Sequence, residues 1–83
     1  DSNMEQSLQI YYEEQFSMMS TKGWADLLED FQKLKSNLND LSTVADAQQL
    51  FYRQGQLDML NLVLQRKEMC EKVYEELEDE KNL

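Results

Sequence analysis

An all-α fold is predicted by three observations. The 83-residue sequence holds no Pro and only two Gly, Gly23 and Gly55, so almost nothing in it interrupts a helix or builds a hairpin turn. Its charged residues, 30% of the chain, are interleaved with Leu, Gln and Met, a helix-forming mixture. Trp24, Leu27, Phe31, Leu34, Leu38 and Leu41 alternate three and four residues apart, the a/d seam of a helix built to lie along another helix.

The first helix is read over residues 4–19, where Leu8, Tyr11, Tyr12 and Phe16 recur at helical spacing with Glu5, Glu13 and Glu14 mainly opposite. Ser20-Thr21-Lys22-Gly23 interrupts it, and Thr21 suits the N-cap of the next helix. The second helix, over 22–41, carries the seam. Asp40, Ser42 and Thr43 mark the next break, with Thr43 and Asp46 spaced as a weak capping box. A long third helix follows over 44–79, with Leu50, Leu57 and Leu64 every seven residues and Leu60 between. Glu75-Glu76-Leu77-Glu78-Asp79-Glu80 sets like charge against the dipole at its end, so fraying is expected there.

The short break near Ser42 predicts an antiparallel helical hairpin with coiled-coil-like packing: a long C-terminal helix and a first arm broken into two shorter helices. Counting outward from the break sets Leu38 beside Leu50, Phe31 beside Leu57, Leu27 beside Leu60, and Trp24 beside Val63 and Leu64. With helix one in line with helix two, Phe16 meets Cys70, Tyr12 meets Val73 or Tyr74, and Leu8 meets Leu77. The rival arrangement folds helix one back against helix two as a three-helix bundle. Either way residues 4–83 are read as one helical domain, and Asp1-Ser2-Asn3 before Met4 as a cloning remnant.

A two-layer hairpin buries one stripe per helix, so Leu28, Phe51, Met59, Leu62 and Met69 lie off the seam and would be exposed in a monomer. A homodimer or higher oligomer, such as a four-helix assembly, would cover them.

Composition narrows the function classes. A formal charge of -9 opposes direct binding to phosphate backbones or anionic lipid. No apolar run approaches the roughly 20 residues of a membrane span. The lone Cys70 has no partner for an internal disulfide and reads as a small buried hydrophobe in a reducing compartment. With no His, the zinc, di-iron and Ser-His-Asp patterns are excluded. Neighbouring carboxylates such as Glu13–Glu14 and Glu29–Asp30 diverge by about 100° on a helix. No calcium loop or phosphate-cradling glycine pattern is present either. The reading is a non-enzyme without metal or cofactor.

The residues that invite an interaction role are Trp24, Leu28, Phe31, Phe51, Arg53, Gly55, Leu57 and Leu60. Gly55 is the oddest, because a mid-helix Gly costs about 1 kcal/mol relative to Ala. Close helix approach, with Phe31 over the bare backbone, is one explanation; a hinge or docking notch is the other. Arg53 is expected to pair with an acidic residue across the hairpin and set its register.

Phe51-Tyr52-Arg53-Gln54-Gly55-Gln56-Leu57-Asp58-Met59-Leu60 and Lys67-Glu68-Met69-Cys70-Glu71-Lys72-Val73-Tyr74-Glu75-Glu76-Leu77 resemble short acidic coil-containing proteins of tailed bacteriophages, notably those of marine bacteria. Phe16-Ser17 through Thr21, Gly23 and Trp24 fit the same pattern. The resemblance implies a phage protein in the bacterial cytoplasm, free or virion-associated, and supplies no activity or site residues. Two functions are expected from these features. One is a self-associating structural module that binds phage or host proteins. The alternative is an acidic DNA mimic that inhibits a host nucleic-acid-binding protein, although Lys33, Lys35, Arg53, Arg66, Lys67 and Lys72 dilute its acidity.

Overall fold

Hydroxyl and carboxylate side chains set two of the three breaks between helices among the described residues. A computed structural model describes residues 2–81, which form four α-helices and, among the described residues, no strand. They are α1 (Ser2–Met19), α2 (Lys22–Leu38), α3 (Ala47–Leu64) and α4 (Arg66–Lys81), with a 3-10 turn at Leu41–Thr43.

Between α1 and α2, the Ser20 hydroxyl donates to the Phe16 carbonyl at 2.8 Å and the Thr21 hydroxyl to that of Met18 at 2.8 Å. These bonds satisfy carbonyls that the end of α1 leaves open. Thr21 Oγ1 then accepts the Trp24 N–H at 3.2 Å, making it the expected cap of α2.

The second break is longer than the spacing suggests. α2 ends at Leu38, and Leu41 falls in the 3-10 turn with 70% exposure. Asp40 caps that turn, its Oδ1 accepting the Ser42 N–H at 3.0 Å and hydroxyl at 2.6 Å. Those two bonds, hydroxyl first, hold the Asp40 carboxyl below its usual pKa, with Arg53 adding a smaller effect. The turn is therefore stabilised above the ordinary Asp range and loses that support as pH falls through the lowered pKa. The cap of α3 is Asp46 and not Thr43. Its extended backbone (φ -154, ψ 176) stops the helix, and its Oδ1 accepts the Gln49 N–H at 2.9 Å. Gln49 Oε1 answers by accepting the Ala45 N–H at 2.9 Å, a capping box displaced by one residue.

The long third helix is two helices. Gln65 (φ -98, ψ 8) leaves helical geometry, although its N–H still donates to the Asn61 carbonyl at 2.9 Å. A single residue is relaxed there, without Gly, Pro or a capping side chain to announce it.

The chain divides into two compact units, Asp1–Ala25 with Arg66–Leu83, and Asp26–Gln65. In the first, α1 packs on α4. Met19 and Cys70 are its buried side chains, Cys70 completely, as expected of a small hydrophobe. Phe16 meets Tyr74 edge-on at 5.6 Å, one helical turn beyond the Cys70 that counting paired with it. Two polar contacts flank this core: Arg66 Nη2 donates to Tyr11 Oη at 2.8 Å, and Tyr74 Oη donates to Glu13 Oε1 at 3.0 Å.

In the second unit, Arg53 reaches from α3 to the 3-10 turn. Nη1 donates to the Asp40 carbonyl at 3.1 Å and to the Thr43 hydroxyl, and Nη2 to the Thr43 carbonyl at 3.2 Å. In place of the expected acidic partner across a hairpin, Arg53 meets main-chain carbonyls and a hydroxyl of the turn. A planar guanidinium can serve several such acceptors together, which an ammonium cannot.

Two predictions follow from these contacts. Arg53→Met should lower stability by about 1 kcal/mol in urea titration, for exposed hydrogen bonds to a charged donor. Arg53→Lys should recover only part of the loss, and full recovery would refute the fork geometry. Hydrogen bonding to Glu13 raises the Tyr74 pKa above 10.0. A raised folded-state pKa gives stability that is complete below the unfolded value and is lost as pH rises through the folded one. Phenolate absorbance should therefore show a tyrosine titrating late, and Glu13→Gln should bring it forward.

Candidate functional site

The second unit is built around a helix with two apolar faces. On one face of α3, Leu50, Arg53, Leu57, Leu60 and Leu64 recur three and four residues apart, and all are half-buried. On the opposite face, Phe51, Tyr52, Met59 and Leu62 are 68%, 71%, 62% and 63% exposed. A helix apolar on both sides is ordinarily enclosed by neighbours on both sides. Here only one side is covered, and neither α2, the 3-10 turn nor α3 contributes a fully buried residue to this unit.

The exposed side opens into a groove of about 650 Å³. Phe31, Leu34 and Leu38 of α2 form one wall; Phe51, Tyr52, Gly55 and Gln56, continuing to Met59, Leu60 and Val63, form the other. No lining residue carries a charge. Gly55 lies in the middle of the α3 wall, and a Cβ added there would meet nothing within 4 Å. The close-approach account of Gly55 is thus overturned within this chain. No Phe31 ring covers the bare backbone, which faces open space.

The seam on α2 is also shifted. Its half-buried residues are Trp24, Leu28, Phe31, Lys35 and Leu38, spaced four and three apart. Leu27 and Leu34 are 40% and 44% exposed. At 100° per residue they sit roughly a fifth of a turn to one side of the packed row. Leu28, assigned to the exposed surface, is packed instead, and Leu34, assigned to the internal seam, lines the groove. The apolar stripe of α2 is wide enough to fit either phase, and contact with other elements selects one. Lys35 can occupy a seam position because its methylene stem packs while its ammonium reaches water.

Of the residues singled out by sequence, Phe31, Phe51, Gly55 and Leu60 come together in the groove. Leu57 lies on the other face of α3, Arg53 serves the turn, and Leu28 packs. Trp24 belongs to the other unit, where its indole N–H is enclosed without a hydrogen-bond partner. Tyr52, Met59, Val63, Leu34 and Leu38 were not assigned to such a site. The i, i+4 row Phe51–Gly55–Met59 opposite the Leu50–Leu57–Leu64 heptads could have found Met59; no sequence signal marks the others.

Chemistry is sparse elsewhere. Among the described residues, no three His, Cys, Asp or Glu side chains are grouped to hold a metal ion. The Cys70 thiol is sealed from solvent, so a partner's thiol cannot reach it in the folded chain. No helix among the described residues is long and apolar enough to cross a membrane.

Because the Gly55 position is open, Gly55→Ala should stabilise the dilute, unassociated chain by about 1 kcal/mol, the helix-propensity difference. Gly55→Leu should also stabilise it. Thermal melts at low protein concentration check both, and a loss with Leu would show that the position is crowded after all.

No known protein family, curated protein or solved structure matches this chain, so its function is argued from the groove itself.

Proposed function

We propose that this protein is a non-catalytic helical interaction module that self-associates and acts through protein–protein contacts made by the open groove of its second unit. The observation that carries this reading is the uncharged apolar face of α3, exposed in a chain of formal charge -9. Apolar surface of this extent on one side of a helix favours association because covering it removes it from water. In this reading α2 and α3 are the arms of an antiparallel hairpin with coiled-coil-like spacing, tied at the turn by Arg53. A second apolar helix completes the packing that α2 leaves open.

The DNA-mimic alternative is disfavoured by the same surface. Mimicry would dock through arrayed carboxylates, whereas the groove has none, and elsewhere on α2 Glu29 is answered by Lys33 at 3.6 Å. A setting in phage infection, in assembly or against a host protein in the bacterial cytoplasm, rests on the sequence resemblance.

Sedimentation equilibrium of the full chain tests the proposal. A dimer or larger species should appear in the micromolar range. A fully helical 9.9 kDa monomer throughout that range would overturn self-association.

A further inference from the structure

Resting on that self-association reading, we infer that the groove's occupant is α3 of a second copy, docked antiparallel across a two-fold axis at Gly55 so that Phe51 of each chain packs on the partner's Met59.

Three observations lead to this arrangement. The first is the symmetry of the row. Phe51 and Met59 lie four residues to either side of Gly55 on one i±4 ridge of α3. Such ridges pack into one another at helix crossings, and a glycine at the crossing point lets the backbones approach. A two-fold interface is self-complementary: each residue meets another one, and that pairing recurs by symmetry. With Gly55 on the axis, Phe51 faces the partner's Met59 twice, joining a ring to a thioether, a favourable pairing. The Gly55 backbone, exposed in the single chain and disfavoured by helix propensity, then has a role.

The second observation is charge. Two copies of a chain carrying -9 repel wherever their carboxylates come level, and the groove lining is uncharged. The charged residues of α3 itself are Arg53 and Asp58. A parallel pairing would set Asp58 level with the partner's Asp58. The antiparallel axis at Gly55 sets it level with the partner's Tyr52, and Arg53 level with the partner's Leu57. Antiparallel helices also oppose their dipoles.

The third observation is area. The four large residues on this face are each about two-thirds exposed. At roughly 200 Å² per large side chain they offer on the order of 500 Å². Leu34, Val63 and the Gly55 backbone bring this toward the ~800 Å² per partner of a standard stable interface.

The test uses two variants of the full chain, Phe51→Lys and Met59→Glu, both at exposed positions where a single folded chain tolerates charge. Each alone should keep wild-type helicity and raise the dimer Kd on the order of thirtyfold or more, as loss of a central anchor does. Mixed in equal amounts, they should regain association. The mixed dimer sets the new lysine against the new glutamate on one side of the axis and keeps Phe51 on the partner's Met59 on the other. Wild-type dimers without recovery on mixing would overturn the antiparallel pairing and leave self-association standing. A wild-type chain that never associates would overturn both.

Discussion

Every other feature of the second unit depends on α3 being apolar on opposite faces. One of those faces, carrying Leu50, Leu57, Leu60 and Leu64, is half-buried. Phe51, Tyr52 and Met59 are left with solvent. The groove and the open backbone at Gly55 lie on the face of α3 that is left exposed. Because hydrophobic association scales with the area removed from water, the uncovered face is the molecule's main store of unrealised stability.

Local polar bonds do much of what packing does in larger domains. Thr21, Asp40 and Asp46 each accept N–H groups that helix or turn starts leave open. Ser20 and Thr21 also close the end of α1. Arg53 ties α3 to the turn from thirteen residues away, converting a three-residue 3-10 turn into a fixed connection. The first unit relies more on packing: Met19 and Cys70 are buried, Cys70 completely, and Phe16 and Tyr74 form a ring pair. Its polar contacts, Tyr74 to Glu13 and Arg66 to Tyr11, orient the aromatic rims.

The proposed function is a matter of surface. The absence of His from the sequence removes the common acid–base and metal constellations, and the one thiol is enclosed. The surface feature that stands out is the groove along α3, whose lining carries no charge. In the proposed self-association, the formal charge of -9 favours approach where carboxylates are absent.

Much of the architecture was legible in the residues alone. The scarcity of Gly and Pro and the three–four spacing specified helices, and Thr21 specified the start of α2. The exposure of Phe51, Met59 and Leu62 outside a single seam was legible too, because seven-residue spacing shows which apolar residues one stripe cannot hold. The break at Gln65 was not legible, since helix propensity is continuous through it and no cap or glycine marks the change. Nor was the phase of α2. Leu27 and Leu28 are adjacent and equally apolar, so periodicity admits either, and only contact with a neighbouring surface decides which one packs. Gly55 shows the same limit. Its cost to the helix is a property of the sequence, but whether its missing side chain faces a neighbour or open space depends on where the other elements lie. The sequence determined which residues could be apolar faces; tertiary structure decided which of those faces found a neighbour, because coverage depends on where elements distant in sequence come to rest.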